Sequence, residues 1–279
     1  MGITSHCIEI ADCLETLKKI PDESIQLVIA DPPYNIDIAD WDNYDNYLSW
    51  ASKWIQEVYR VLSKHGNFVL FGGFQFCSAN GGDLLELVHY IRHETQFRLT
   101  NVIIWHYHNG MWAQRFFSNR HEEIIWFTKT DKYLFDLDAV RIKYDPETLE
   151  LYKKDKRLQE KNLLKGKNPS NVWEISRLNS NSLERVGHVT QKPEAIMRRI
   201  IRSMSAENDI ILDLFAGSTV AARVCIEENR NSISCDIDPK SRDYFKLQEA
   251  KLKKRPDYRI VNNIAEVLLQ IPEDRYAQV

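Results

Sequence analysis

The apolar run Ile25-Gln26-Leu27-Val28-Ile29-Ala30 ends in Asp31-Pro32-Pro33-Tyr34, and no other stretch restricts the fold so tightly. The run is short, partly β-branched and uncharged, which suits a strand buried on both faces of a parallel sheet. Two prolines then stop the ladder, because neither donates a backbone hydrogen bond. A carboxylate and a phenol are thereby held in a rigid turn at the carboxyl end of a central strand. In open α/β sheets that edge is where ligands bind. Taken alone, the same four residues are also ordinary turn punctuation with no chemistry.

A second stretch adds weight to the first. Ile210-Ile211-Leu212-Asp213-Leu214-Phe215-Ala216-Gly217-Ser218 is again an apolar strand ending in an acid and a small-residue turn. A helix-like run from Val220 to Glu228 follows, and Ser232-Ile233-Ser234-Cys235-Asp236-Ile237-Asp238 gives a strand ending in acids 23 to 25 residues after Asp213. Strand, glycine turn, helix, strand and terminal acid make the nucleotide-binding half of a doubly wound fold, with the acid placed for ribose hydroxyls. The GxGxxG fingerprint is absent, so an adenosine-bearing cofactor without phosphates fits better than a dinucleotide. The expected fold class is α/β: a doubly wound, mostly parallel, Rossmann-like sheet.

A chain of 279 residues suits one large domain of this kind with an insertion. No apolar run approaches the roughly 18 residues needed to span a bilayer. The first residues lack a basic region followed by an apolar stretch, so a cytoplasmic protein with no membrane association is expected. Cys7, Cys13, Cys77, Cys225 and Cys235 form no CxxC pair, which argues against a disulfide framework or a zinc site. The net charge of −3 offers no global attraction to nucleic acid; binding there needs a local basic face.

Along the chain, Ile8 to Asp12 reads as a strand and its terminal acid, followed by a helix to about Lys19. Asp12 is equally a helix N-cap and a ligand candidate. Asn35 to Asp45 is an acidic, aromatic loop, too polar for core and long enough for a mobile lid. Leu48 to Leu62 has helical spacing, with Ser63-Lys64-His65-Gly66 as a glycine cap. Strands are expected at Asn67–Gly73, Leu99–Tyr107 and Glu122–Thr128, and a helix at Asp83–Arg92. The pair His106 and His108 has no patterned acidic or cysteine partner, so a structural role is favoured over a metal.

Between Thr130 and Gly187 the pattern weakens and charge rises. Residues 153–167 hold seven Lys/Arg against two acids, and Asn, Ser and Arg then cluster from Asn168 to Arg185. A solvated helix face is one reading of such a run. Phosphate contacts, with amides and guanidinium groups for base edges, are the other. The candidates are Lys153, Lys154, Lys156, Arg157 and Arg177. His188-Val189-Thr190-Gln191-Lys192-Pro193 then leads into a helix from Glu194 to Met204.

Together these residues resemble one family. Asp31-Pro32-Pro33-Tyr34 is similar to the catalytic motif of DNA amino-methyltransferases, and Phe215-Ala216-Gly217-Ser218 to their S-adenosylmethionine motif. His188 to Pro193 resembles the element that precedes the latter, and Arg120-His121-Glu122-Glu123-Ile124 a recurrent strand. The order, catalytic motif first and cofactor motif last, is that of the β group. The resemblance implies a catalytic half at 1–130, a target-recognition region at 131–186 and a cofactor-binding half at 187–279. It implies catalysis by Asp31, Pro32, Pro33 and Tyr34. Asp12, Cys13, Asp31, His188, Thr190, Lys192, Asp213, Phe215, Ala216, Gly217, Ser218 and Asp236 would form the S-adenosyl-L-methionine site, Lys192 with Thr190 meeting the cofactor's carboxylate. No metal takes part.

The implied activity is a site-specific, bacterial DNA methyltransferase acting on the exocyclic N6 of a flipped adenine in double-stranded DNA, linked to restriction-modification. A homodimer and a cognate restriction endonuclease are the further candidate partners. Alternatives are a cytosine-N4 enzyme and a non-catalytic DNA-binding relative. The last arises because Thr219 stands where the family usually has glycine. A β-branched residue disfavours positive φ and adds bulk beside the cofactor.

Overall fold

The computed structural model describes residues 2–36, 42, 44–76, 83–110, 112–254 and 256–271. Its first strand, β1 (Thr4–Ile10), leads through helix α1 (Cys13–Lys18) to β2 (Ile25–Ala30), the strand that ends at Asp31. Helix α2 (Tyr47–Val61) follows, capped by the Asn46 side chain, which accepts from the Ser49 N–H. It passes directly into β3 (Leu62–Gly72), so the expected glycine cap at Ser63–Gly66 is instead the first part of the strand. Glycine is a stop signal only where the backbone needs it, and here Leu62 already turns extended, with φ −68° and ψ 133°.

Helix α3 (Leu84–Glu94), β4 (Arg98–His106) and β5 (His121–Thr128) complete the first half. The middle of the chain contributes α4 (Pro146–Lys153), α5 (Glu160–Lys165) and the three-residue β6 (Val172–Glu174). The last part supplies α6 (Glu194–Met204), β7 (Ile210–Asp213), α7 (Val220–Glu227), β8 (Asn231–Asp236), α8 (Ser241–Glu249), β9 (Tyr258–Val261) and α9 (Ile264–Leu268).

One sheet contains nine strands in the order β6-β4-β5-β3-β2-β7-β8-β1-β9. All pairings are parallel except those of β5, which is antiparallel to β3 and β4. The strands that end in Asp31 and Asp213 are neighbours: Leu27 lies opposite Ile211 and Ile29 opposite Asp213. From that pair the chain winds outward both ways, so the topological switch point falls between β2 and β7.

Alternation along the central strands sorts the core into two layers. Val28, Ala30, Phe68, Leu70 and Leu212 face α1, α2, α3 and α9, while Leu27, Ile29, Val69, Phe71 and Ile211 face α6 and α7. A strand apolar on both faces belongs in such a three-layer stack, which explains why β2 is buried at all six positions.

Segment 131–186 is not a separate layer, because β6 adds to the sheet edge beside β4. Arg199 of α6 secures it there, its guanidinium lying 4.9 Å over the Trp173 ring. The acidic loop departs from expectation at its ends. Asn35 and Asp42 are buried, the Asp42 carboxylate accepting from the Asn35 and Ile36 N–H groups at 2.7 and 3.1 Å. Local hydrogen bonds satisfy these polar groups, so they tolerate burial. Asp37, Asp40, Trp41 and Asn43, expected in a lid, and Cys77 lie outside the described residues.

Candidate active site

Four acids end four adjacent parallel strands. In sheet order they are Asp31 after β2, Asp213 on β7, Asp236 on β8 and Asp12 after β1, and all four line one cavity at the carboxyl edge. The Asp31-Pro32-Pro33-Tyr34 turn and the Phe215-to-Ser218 turn form part of the same wall. The sequence separates these turns widely, and the β2–β7 pairing brings them together.

Asp31 is tied from two sides. Tyr34 donates its hydroxyl to Oδ1 at 3.0 Å, and the Lys192 ammonium lies 2.8 Å from Oδ2. The same ammonium donates to the Tyr34 oxygen at 3.3 Å and sits 3.8 Å from the Glu122 carboxylate. Burial alone would lower the Lys192 pKa, but Asp31 and Glu122 outweigh it, and the group stays charged with a raised pKa. Glu122 is pushed up, chiefly by burial, despite Lys192. Burial, with Asp31 next to it, raises Tyr34 well above the usual phenol range. The turn itself is braced from behind by Tyr47, whose hydroxyl donates to the Pro33 carbonyl at 2.5 Å.

On the other wall, Gly217 adopts φ +44°, and a Cβ there would meet the His188 ring at 2.9 Å. Its N–H donates to Asp236 Oδ2 at 2.6 Å, and the Asp238 N–H reaches Oδ1 at 2.8 Å. Burial raises Asp236 against those two donors. Asp213 is buried, and burial with the Asp31 and Asp236 charges pushes its carboxyl up to about 8. It is therefore neutral at pH 7. Burial lowers His188, leaving a neutral imidazole. Asp12 caps α1, accepting from the Leu14 N–H at 2.8 Å, and also faces the cavity beside Cys13. The cap is present, and the same residue faces the cavity.

Thr190, Ala216 and Ser218 line the cavity as well. Thr219 does not: its side chain is fully buried, although its backbone is left-handed at φ 57°. The strain expected of a β-branched residue is present and the crowding is not. Trp50, which no motif marks, lines the cavity with Tyr44, the two rings stacked 4.4 Å apart. Glu122 reads in the sequence only as part of a strand. Its role at Lys192 depends on chain segments that no local pattern connects.

The DNA-binding candidates separate. Arg177 follows β6, its guanidinium 5.1 Å over the Tyr107 ring and its charge felt by Glu122 and Lys192. Lys153 and Arg157 are on and just after α4, Lys153 paired with Glu150 and Glu160 and Arg157 with Asp155. Lys154 is the helix C-cap and Lys156 is exposed.

The cavity is chemically one-sided. Lys192 is its one Lys or Arg among the described residues, committed to Asp31, against five acids, Asp12, Asp31, Asp213, Asp236 and Asp238, of which Asp213 carries its proton. Such a lining favours a cationic, phosphate-free ligand over a pyrophosphate. Comparison with known proteins agrees with this architecture. The DNA methylase family of N6 and N4 methyltransferases matches residues 25–247.

The chain belongs to this family.

It is 33% identical over 270 residues to the type II methyltransferase M.HpaI of Haemophilus parainfluenzae, covering 95% of this chain and 79% of the relative. It is 31% identical to the DNA adenine methyltransferase YhdJ of Escherichia coli K12, covering 88% and 82%. Among solved structures, the cytosine-N4-specific PvuII DNA methyltransferase shares the fold at TM-score 0.67 and 20% identity, covering 96% of this chain and 93% of the other. TTHA0409 of Thermus thermophilus, complexed with S-adenosyl-L-methionine, shares it at TM-score 0.62 and 18% identity, covering 92% and 100%. The doubly wound methyltransferase fold expected from the sequence is thus the fold of the chain.

Proposed function

We propose that this DNA methylase is a β-group enzyme that moves a methyl group from S-adenosyl-L-methionine to the exocyclic N6 of adenine in double-stranded DNA. The observation that carries the reading is the single cavity joining the Asp31 turn to the Gly217–Asp236 turn. Asp236, Phe215, Gly217, Asp12 and His188 would hold the cofactor, which supplies an electrophilic methyl on a sulfonium. An adenosine with a cationic side chain suits the acid-rich, phosphate-repelling lining.

This chain's own residues do the rest. An exocyclic amine conjugated to a purine is a poor nucleophile, because its lone pair is delocalised into the ring. The Asp31 carboxylate and the Pro32 carbonyl each accept one of its N–H hydrogens, drawing the nitrogen toward tetrahedral geometry. Positive charge then develops on nitrogen, Asp31 stabilises it, and Asp31 or solvent takes the proton that the methylated nitrogen gives up. Tyr34 offers its ring to a base flipped from the duplex. Lys192 and Glu122 hold Asp31 in place; their ion pair fixes the orientation of its carboxylate before the base arrives. The family resemblance places Lys192 at the cofactor's carboxylate; its ammonium also lies 2.8 Å from Asp31.

Residues 131–186 are the target-recognition region, between a catalytic half at 1–130 and a cofactor half at 187–279. Relatives with type II names support a restriction endonuclease as partner, and the family's habit supports a homodimer. The adenine target rests on the Asp at position 31 and on the resemblance to YhdJ. The structural likeness to a cytosine-N4 enzyme keeps that target as the second reading.

Incubation with labelled S-adenosylmethionine and unmethylated bacterial DNA, followed by nucleoside mass spectrometry, tests both. N6-methyladenine is expected. N4-methylcytosine keeps the mechanism and moves the target, and absence of any methylated nucleoside refutes the reading.

A further inference from the structure

Strand β4 runs parallel to β3, and β5 returns antiparallel, so the connection Tyr107–Arg120 emerges at the same sheet edge as Asp31. Its tip is unusual. Trp112 is 89% exposed, Phe116 68% and Phe117 98%, and among the described residues no other Phe, Trp or Tyr is more than half exposed. Scattered exposed apolar residues need no explanation, but three aromatic rings within six residues, beside a catalytic cavity, do.

The loop is built rather than slack. At its base Asn109 donates to the Arg177 carbonyl at 3.1 Å and to Asn179 Oδ1 at 2.7 Å, and accepts from the Arg177 N–H at 3.2 Å. Near its tip the Ala113 N–H donates to Ser118 Oγ at 3.0 Å, and the Arg120 guanidinium lies 5.8 Å from the Trp112 ring centre. From Tyr107 to His121 there is no acid, while Arg115 and Arg120 lie within the stretch and Arg177 stands against Tyr107. A cationic, aromatic-tipped loop leaves the same sheet edge as the acid-lined cavity, from strands two and three places along from β2. The loop therefore suits a polyanion with flat, stackable faces.

We propose that this loop enters the DNA duplex at the target base. Phe117, with Trp112 and Phe116 beside it, takes the stacking position that the flipped base vacates, and Arg115 and Arg177 hold the flanking phosphates. A base leaves its stack only if something replaces the lost contacts, and aromatic side chains stack on any base without reading its sequence. The proposal rests on the DNA-methylation reading and adds to it the element that opens the substrate. It also divides the work of DNA binding. The loop opens the duplex at the catalytic edge, while Lys153, the last residue of α4, and the lysines after it follow a connection that passes the opposite edge, where the Leu134 and Asp136 N–H groups bond to the His65 and Ser203 carbonyls.

The test uses the full chain and three variants: Phe117→Ala combined with Trp112→Ala, Phe117→Trp alone, and Arg115→Ala. Methyl incorporation into bacterial DNA is measured, with S-adenosylmethionine affinity by calorimetry in parallel. The double variant is expected to lose at least about tenfold in incorporation while binding the cofactor as the parent does. Phe117→Trp is expected to retain incorporation, since a larger ring stacks as well. Arg115→Ala is expected to weaken DNA binding and make its salt dependence shallower. Incorporation by the double variant within twofold of the parent overturns the proposal, as does a parallel loss of cofactor affinity, which would mark a purely structural role. If the parent chain itself methylates no DNA, the functional reading has failed, and that outcome shows before any variant is made.

Discussion

Around the carboxyl edge of the sheet, the strands that lead to Asp31, Asp213 and Asp236 are fixed by main-chain pairing to distant parts of the chain: Ile29 lies opposite Asp213, and Asp236 opposite Ile10. In residues 131–186 the polar side chains are held by near neighbours in sequence: Arg141 by Asp138, Lys153 by Glu150, Arg157 by Asp155. Helix α4 buries none of its residues and α5 only Leu163. Exposed pairs of this kind add little to stability, because water and salt screen them. One region therefore cannot shift without disturbing the core, and the other can be reshaped residue by residue at little expense in stability. That contrast suits a fixed chemistry joined to a changeable reader of sequence.

Asp31→Ala separates the two regions most strongly. Turnover should fall at least about 10³-fold while cofactor affinity stays within about threefold, since the carboxylate acts on the developing charge. Substantial residual turnover, by single-turnover kinetics, would remove Asp31 from the chemistry. Gly217→Ala comes next. The positive φ and the His188 ring leave no room for a Cβ, so S-adenosylmethionine affinity should drop by at least about tenfold. Unchanged calorimetry would mean that the turn does not cradle the cofactor.

Charge reversal at Lys153, Lys154 and Arg157 should weaken DNA binding by roughly tenfold at low salt and flatten its salt slope, with kcat nearly unaltered. A collapse of kcat would break the comparison, by giving 131–186 a share in the chemistry. A smaller effect tests the edge by pH. The Asp213 carboxyl keeps its proton in the folded chain up to about 8, above its value when unfolded. Its contribution is thus fully present at acid pH and lost as pH rises through 8. Asp213→Asn should unfold at a temperature less dependent on pH and a few degrees higher at pH 8.5; an identical pH profile would show that the group is not neutral. Least of all, Thr219→Gly should leave cofactor affinity within about twofold, because strain relief and lost packing act away from the cavity. A large tightening would restore the crowding argument.

Legibility followed the same division. Asp31, Asp213 and Asp236 could be placed from sequence because each closes a short apolar strand, a pattern that depends on a few adjacent residues. The Lys192–Asp31–Glu122 cluster was not legible, since its members sit on a turn, a pre-helical segment and an antiparallel strand whose meeting depends on tertiary packing. Trp50 reads simply as part of an amphipathic helix. Gly66 misled because a local stop signal was overridden by the pairing of Asn67 with Leu27 and Thr128. In 131–186 no period linked charge to burial, because almost nothing there is buried.

The central pairing of the sheet has a consequence for how the protein comes into being. Leu27 meets Ile211, and His6 meets Ser232, each across more than half the length of the chain. During synthesis, β2 to β5 can assemble early, but β2 leaves the ribosome long before the partner that completes its edge. Contacts of such separation form slowly, after much chain entropy has been lost. Until β7 and β8 arrive, an apolar strand edge is exposed to chaperones and to other nascent chains. The pocket is thus among the last parts of the molecule to exist, and a truncated chain that has lost β7 and β8 would carry the Asp31 turn with no cofactor wall to face it.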